Sequence, residues 1–223
     1  MIEFLVAIAV FLAAHILPAA TGLRAALIGR LGRRLYLALY SLVSLATIAW
    51  VIVAALAAPY IELWPPSRGA ALVPVGAMPA ACILFAAAAL QPNPLSVSFR
   101  SGLPDACKTG LAALLRHPLL WAFFLWAASH LVANGDLVSV ILFGSLAVFS
   151  LAGMQRLQSR ARQRLSAADY AAATALYEGG MGARLRRIGA RRALVEIAAG
   201  ALLYAALLHL HGPVIGADPL AWL

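Results

Sequence analysis

Residues 118–154 read PLLWAFFLWAASHLVA, then NGD, then LVSVILFGSLAVFSLAGM. Neither apolar run contains an Asp, Glu, Lys or Arg, and Asp136 alone stands between them. Crossing a bilayer as helix takes about 20 apolar residues. Leu137 to Met154 is close to that length, and Pro118 to Ala133 is shorter but flanked by apolar residues. In lipid every backbone N–H and C=O must find its partner within the segment, so both runs read as helices. The connection Asn134-Gly135-Asp136 is so short that the two helices form an antiparallel hairpin.

Four more apolar stretches lie outside this hairpin: Ile2 to Ala20, Leu35 to Ala58, Leu72 to Leu90 and Ala193 to about Leu210. Composition agrees. The 223 residues are 64% hydrophobic and 11% charged, with a mean hydropathy of +0.91. A soluble domain is nearer ~25% charged, and a disordered chain cannot leave this much apolar surface in water. The expected fold is all-α: an integral membrane bundle of about six transmembrane helices forming one domain over residues 1–223, without an internal repeat. The first span starts with Glu3 rather than a basic run and lacks a small-x-small site before the next charges. It therefore reads as a retained span and not a cleaved signal peptide.

The net charge of +9 would suggest nucleic acid in a soluble protein, but here the basic residues fall between the spans. Arg24, Arg30, Arg33 and Arg34 follow span one; Arg100, Lys108 and Arg116 follow span three. Nine arginines from Arg156 to Arg192 follow span five, and the other face holds Arg68 alone. This is the positive-inside pattern, so the charge orients the chain and nucleic acid is not an expected partner. Both termini are expected outside, in a multi-pass protein of the bacterial inner (cytoplasmic) membrane. Tyr60 and Trp64 suit the headgroup layer. The basic loop 155–192 is expected on the cytoplasmic side. Ser166-Ala-Ala-Asp169 is a capping-box-like start and Gly179-Gly180 a stop, which predicts a short surface helix there. Cys82 in a span and Cys107 in a loop suggest neither a disulfide framework nor a metal cluster.

An ionisable side chain inside a span is costly and is a functional hypothesis by default. His15, His130 and the pair His209/His211 qualify, while His117 stands at the mouth of span four in Arg116-His117-Pro118. His15 lies about thirteen residues from the outer end of span one, and His130 about twelve from the inner end of span four. At ~1.5 Å per residue, antiparallel spans bring the two within roughly 10 Å of one depth. Two imidazoles facing one metal suit the axial positions of a haem better than a closed zinc site, which wants four ligands. Trp121, Phe123, Phe124 and Trp126 precede His130 on its span. No Cys-x-x-Cys-His occurs, so the haem would be b-type and not covalently attached. Helix packing through hydrogen bonds is the competing reading of each lone histidine. Arg24, Arg30 and Arg116 are candidates for pairing with haem propionates, and His209 and His211 are reserve ligands near the outer end of span six. Tyr36, Tyr40, Ser44 and Thr47 fall on one face of span two, expected to turn inward.

The run Arg116-His117-Pro118 through Trp126-Ala-Ala-Ser-His130-Leu-Val-Ala-Asn134-Gly135-Asp136 to Phe143-Gly144-Ser145 resembles the NnrU family. Gly29-Arg-Leu-Gly32 followed by Tyr40-Ser41-Leu-Val-Ser44 carries the same resemblance, which covers roughly residues 10 to 160. The resemblance implies a place in denitrification and nitric-oxide metabolism. The family is also similar to the 15-cis-zeta-carotene isomerases, membrane haem b enzymes that isomerise a polyene double bond when the iron is reduced. It implies His15 and His130 as haem and metal ligands. Arg24 and His117 are further cofactor-binding candidates on their own residue chemistry. The isomerases carry a Cys three residues before the histidine that matches His130, and this chain has Ala127 there. A swap between thiolate and imidazole is therefore not available at that position.

Two other functions stay open at this point. A non-enzymatic assembly partner of a membrane reductase, or a protein served by a membrane electron donor, fits the same sequence. Arg116-His117-Pro118 opening a helix is also similar to the isoprenylcysteine carboxyl methyltransferases, which bind S-adenosylmethionine. Those follow it with a Tyr-x-Gly-like segment and paired glutamates, whereas here Leu119-Leu120-Trp121 follows and Glu178 and Glu196 are isolated.

Overall fold

The computed structural model describes residues 1–100, 102 and 109–221. Cys107 and Lys108 lie outside the described residues. Among the described residues eight α-helices follow one another: α1 (Ile2–Ala20), α2 (Leu23–Leu56), α3 (Arg68–Leu90), α4 (Pro118–Ala133), α5 (Leu137–Arg164), α6 (Ala167–Ala175), α7 (Met181–Arg186) and α8 (Ala190–Ile215). A short 3-10 turn, Leu111–Leu114, precedes α4. The described residues contain no strand. Helices α1, α2, α3, α5 and α8 are long and apolar enough to cross a membrane, and α4 is a shorter apolar helix, so about six spans is the count. Leu42, Leu45, Val148 and Leu202 are all more than 60% exposed. Aliphatic side chains that would be unfavourable in water are what a lipid-facing surface requires.

The helix ends follow local chemistry. Ser67 caps α3 by accepting the Ala70 N–H at 3.2 Å. Pro118 opens α4, where a missing N–H costs nothing. Gly216, at φ 84°, closes α8 in the left-handed conformation that favours glycine. Ser166 caps α6 and also bonds the Asp169 carboxylate, as the capping-box reading expects.

Several helices outrun their apolar spans, α2, α3, α5 and α8 among them. α2 begins at Leu23, so Arg24, Arg30, Arg33 and Arg34 belong to a helix and not to a loop. Its one break is at Gly32, whose φ of 75° is open to glycine without strain. α5 likewise continues ten residues past Met154 through Arg156, Arg160 and Arg162. Arginine is a good helix former, so hydropathy marks where the lipid stops and not where the helix stops. The short helix α7 after Gly180 has no counterpart in the sequence reading.

The chain divides into two compact units: Met1–Leu63 with Asp136–Leu142, and Trp64–Gly135 with Phe143–Leu223. In the first, α1 packs on α2 through Phe4, Ala7, Ile8, Val51 and Ala54, joined by Val138. In the second, α3 packs against both α4 and α8. Gly200 makes the α8 contact close: a Cβ there would stand 2.6 Å from the Ile83 Cα. Small residues let membrane helices approach in this way. A further apolar cluster, Leu95, Ala161, Ala173, Leu176 and Tyr177, seats α6 against the last turns of α5.

Candidate functional site

His130 stands in the last turn of α4, three residues before its end. Its Nδ1 lies 2.8 Å from the Trp126 carbonyl one turn back. A carbonyl can only accept, so the proton sits on Nδ1 and Nε2 carries the free lone pair. The ring is set among Trp126 (centroids 6.0 Å apart), Phe143 (5.2 Å) and His211 (6.4 Å, planes 22° apart). Trp126 also meets Phe143 edge-on at 5.6 Å. Of the four aromatics that precede His130, only Trp126 is part of this cluster. Trp121 pairs with Phe124, and Phe123 with Phe85 on α3. Ala127, where the isomerases have Cys, is fully buried.

The turn after His130 is fixed by its neighbours. The backbone N–H and the side-chain amide of Asn134 both donate to the His130 carbonyl, at 3.0 and 2.8 Å. Gly135 accepts the Trp64 N–H at 3.1 Å, and a Cβ on Gly135 would collide with the Trp64 carbonyl. The conformation of the Asn-Gly turn is therefore set by the backbone of the segment before α3.

His15, in the first unit, shows the same device. Its Nδ1 donates to the Phe11 carbonyl at 2.8 Å. Its Nε2 accepts from the Ser44 hydroxyl at 3.2 Å. Tyr40 meets the ring edge-on at 5.5 Å, and Tyr36 stacks on Tyr40 at 5.9 Å. The polar face of span two thus turns toward α1, as its spacing predicts. Thr47 is the exception and bonds its own helix at Val43. Arg24 stands exposed in the first turn of α2.

His117 occupies the other end of α4. Thirteen residues of helix separate it from His130, roughly 20 Å at ~1.5 Å per residue, so the two cannot hold one group. His117 is buried, and neither ring nitrogen has a hydrogen-bond partner among the described residues. Gln158 lies beside the ring without reaching hydrogen-bonding geometry, and Leu95, Arg116 and Tyr170 complete its surroundings. Burial pushes the His117 pKa down and the Arg116 charge adds to this, with Gln158 partly opposing. The Arg116 guanidinium lies 5.9 Å from the Tyr177 ring centroid, and Asn93 donates to the Arg116 carbonyl at 3.0 Å. Burial raises the Tyr177 hydroxyl to about 12.

Two residues gain importance from the structure. His211 lies against His130, and its Nδ1 bonds the Ala217 carbonyl at 2.8 Å. The sequence placed it in reserve because span position gives no helix-to-helix contact. Glu196, isolated in sequence, is fully buried on α8. It accepts from the Gln91 amide and from the Leu111 N–H at 2.7 Å, with Arg192 at 3.8 Å. Its partners are 85 and 105 residues away, so no local pattern could reveal them.

These features define a multi-pass helical membrane protein. More particularly, the chain belongs to the NnrU family, whose model matches residues 3–219, described as NnrU protein. No curated protein and no solved structure matches the chain.

Proposed function

We propose that this NnrU protein binds haem b, with His130 as an axial ligand, and acts in nitric-oxide metabolism. The observation that carries the reading is the His130 ring. Its Nδ1 is held by the Trp126 carbonyl, and its Nε2 has no hydrogen bond among the described residues. Ligating histidines are oriented in this way by a carbonyl on the other nitrogen.

The donor set fits a haem. Among the described residues no group of three or more His, Cys, Asp or Glu is placed to hold a metal ion. A structural zinc site needs four protein ligands, whereas a porphyrin brings its own four equatorial nitrogens and asks the protein for one or two axial ones. Trp126 and Phe143 offer aromatic surface beside His130. The family resemblance implies His15 as a ligand as well, and within its own unit α1 orients that ring by the same i–4 carbonyl bond. Arg24 is exposed at the start of α2, and its side chain suits a propionate or a lipid phosphate equally.

Bound haem would supply a redox-active iron able to take nitric oxide or to act on a polyene double bond. The chain's own part is to fix the imidazole by its Nδ1 beside the aromatic surface of Trp126 and Phe143. The test is protein expressed with haem supply and purified in detergent. Wild type is expected to carry haem that binds nitric oxide when reduced, and His130→Ala to lose most of it. Folded His130→Ala that keeps wild-type haem content and spectrum contradicts the assignment.

A further inference from the structure

We infer that α7 and the first turn of α8 form a docking surface for anionic phospholipid headgroups. The inference concerns the second unit alone and does not depend on the haem reading.

The arginines of this segment divide by what their guanidinium groups do. From Gly179 to Val195 the chain carries five arginines and no acidic residue. Three of the five are used inside the fold. Arg184 donates to the Tyr177 carbonyl at 2.7 Å and to the Leu114 carbonyl at 3.1 Å. Arg187 donates to the carbonyls of Ala175, Leu176 and Glu178 at 3.1, 2.9 and 3.0 Å. Arg192 stands 3.8 Å from the Glu196 carboxylate and donates to the Leu90 carbonyl. Arg186 and Arg191 are exposed, and neither has a hydrogen bond or an ion pair among the described residues. Their charges are not spent within the fold.

An arginine that only orients a span needs no particular neighbour. These two stand beside exposed apolar side chains. Met181 and Leu185, one turn apart on one face of α7, are 53% and 52% exposed. The segment is held in place: the Gly189 N–H donates to the Thr109 carbonyl at 2.9 Å, and the Thr109 hydroxyl donates to the Arg187 carbonyl. Three residues join α7 to α8. The exposed apolar surface of α8 begins at Leu194 and Val195, four residues or about 6 Å beyond its start. α7 therefore lies near the level at which headgroups give way to acyl chains. Amphipathic segments at that level bury apolar side chains in the boundary and turn basic ones to the phosphates. A guanidinium matches a phosphate bidentately. A soluble anion would meet the charge alone, whereas an anionic lipid meets both the charge and the apolar pair.

The experiment titrates full-length protein in nonionic detergent with phosphatidylglycerol, or with phosphatidylcholine of the same acyl chains. Bound lipid is counted by native mass spectrometry, and thermal stability is followed by fluorescence-detected gel filtration. Wild type is expected to retain phosphatidylglycerol in preference and to be stabilised by it, with the preference falling as salt rises. Arg186→Gln combined with Arg191→Gln is expected to weaken phosphatidylglycerol binding roughly 25-fold, at about fivefold for each arginine near an anionic surface. Met181→Ser combined with Leu185→Ser is expected to weaken it with the charges intact. Inorganic phosphate at matched ionic strength is expected to give no stabilisation.

Equal retention of the two lipids by wild type, or unchanged phosphatidylglycerol binding in the glutamine variant, overturns the inference. So does an equal loss from Arg156→Gln combined with Arg160→Gln on α5, which would mark a response to total charge and not to this surface. Stabilisation by inorganic phosphate as large as that by phosphatidylglycerol overturns it in favour of a soluble anion. If the serine variant does not fold, the glutamine variant decides, since Arg186 and Arg191 hold no contact among the described residues that the fold would lose.

Discussion

Glu196 on α8 accepts the backbone N–H of Leu111 at 2.7 Å while it is completely shielded from solvent. The same carboxylate takes the Gln91 amide at the end of α3, and Gly110 leaves room for it: a Cβ there would strike the Glu196 oxygens. One side chain thus joins the end of α3, the turn before α4 and the start of α8. Those three helices form the body that carries His130 and His211.

Glu196→Ala should therefore be strongly destabilising. It leaves the Leu111 N–H and the Gln91 amide buried without an acceptor, at about 1–3 kcal/mol each. Thermal unfolding followed by fluorescence-detected gel filtration in detergent is the check. Glu196→Gln keeps an acceptor oxygen and should lose clearly less. Gly110→Ala should resemble Glu196→Ala, because it pushes the carboxylate out of place.

Gly135 and Gly144 make a controlled pair. Gly135→Ala drives a methyl into the Trp64 carbonyl and should reduce the yield of folded protein. Gly144 lies within α5, with nothing within 4 Å of an added Cβ. Gly144→Ala should be neutral or stabilising by up to about 1 kcal/mol through helix propensity. Equal behaviour of the two would contradict the turn geometry.

The Tyr177 hydroxyl, raised to about 12 by burial, sets an alkaline limit. Its folded pKa lies above the ordinary value of 10.0, so its contribution is complete below pH 10 and is lost as pH rises through about 12. The two-unit difference corresponds to about 3 kcal/mol at most. Absorbance at about 295 nm should show one of the six tyrosines ionising late, together with unfolding. Tyr177→Phe should remove that late step.

His117 carries the opposite sign. Its folded pKa is pushed below the ordinary 6.5, so its share of stability is present above pH 6.5 and declines as pH falls below that value. Because both ring nitrogens are buried without partners, His117→Leu should stabilise the protein by about 1–3 kcal/mol. It should also flatten the acid side of the stability profile. Haem content should not change, since His117 and His130 stand at opposite ends of α4. Loss of haem from His117→Leu would restore it to the cofactor-binding residues.

Sequence and structure meet most closely where apolar runs end in turn chemistry. Ile2–Ala20 and Pro118–Ala133 coincide with their helices residue for residue; in the second, Pro118 and the Asn134-Gly135 turn fix both ends. The starts of α2 and α8 and the end of α5 were not legible from hydropathy, since arginine continues a helix as well as leucine does. The candidate site was legible in part. His15 and His130 stand out as ionisable residues in apolar spans, and the four-residue spacing on span two gives the inward turn of Tyr40 and Ser44 but not their contact with His15. His211 and Glu196 depend on contacts between distant helices, which one sequence does not encode as a pattern. The depth argument places His130 near mid-span, whereas it sits in the last turn of α4, level with the Asn134 cap and against the end of α8.

The most direct test of the central claim is the absorption spectrum of detergent-purified, haem-supplied protein, oxidised and then reduced with dithionite. A sharp Soret band and resolved visible bands are expected on reduction, the signature of a low-spin haem with two axial nitrogen ligands. A flat visible spectrum from folded protein would contradict the claim, and would return His15, His130 and His211 to helix packing.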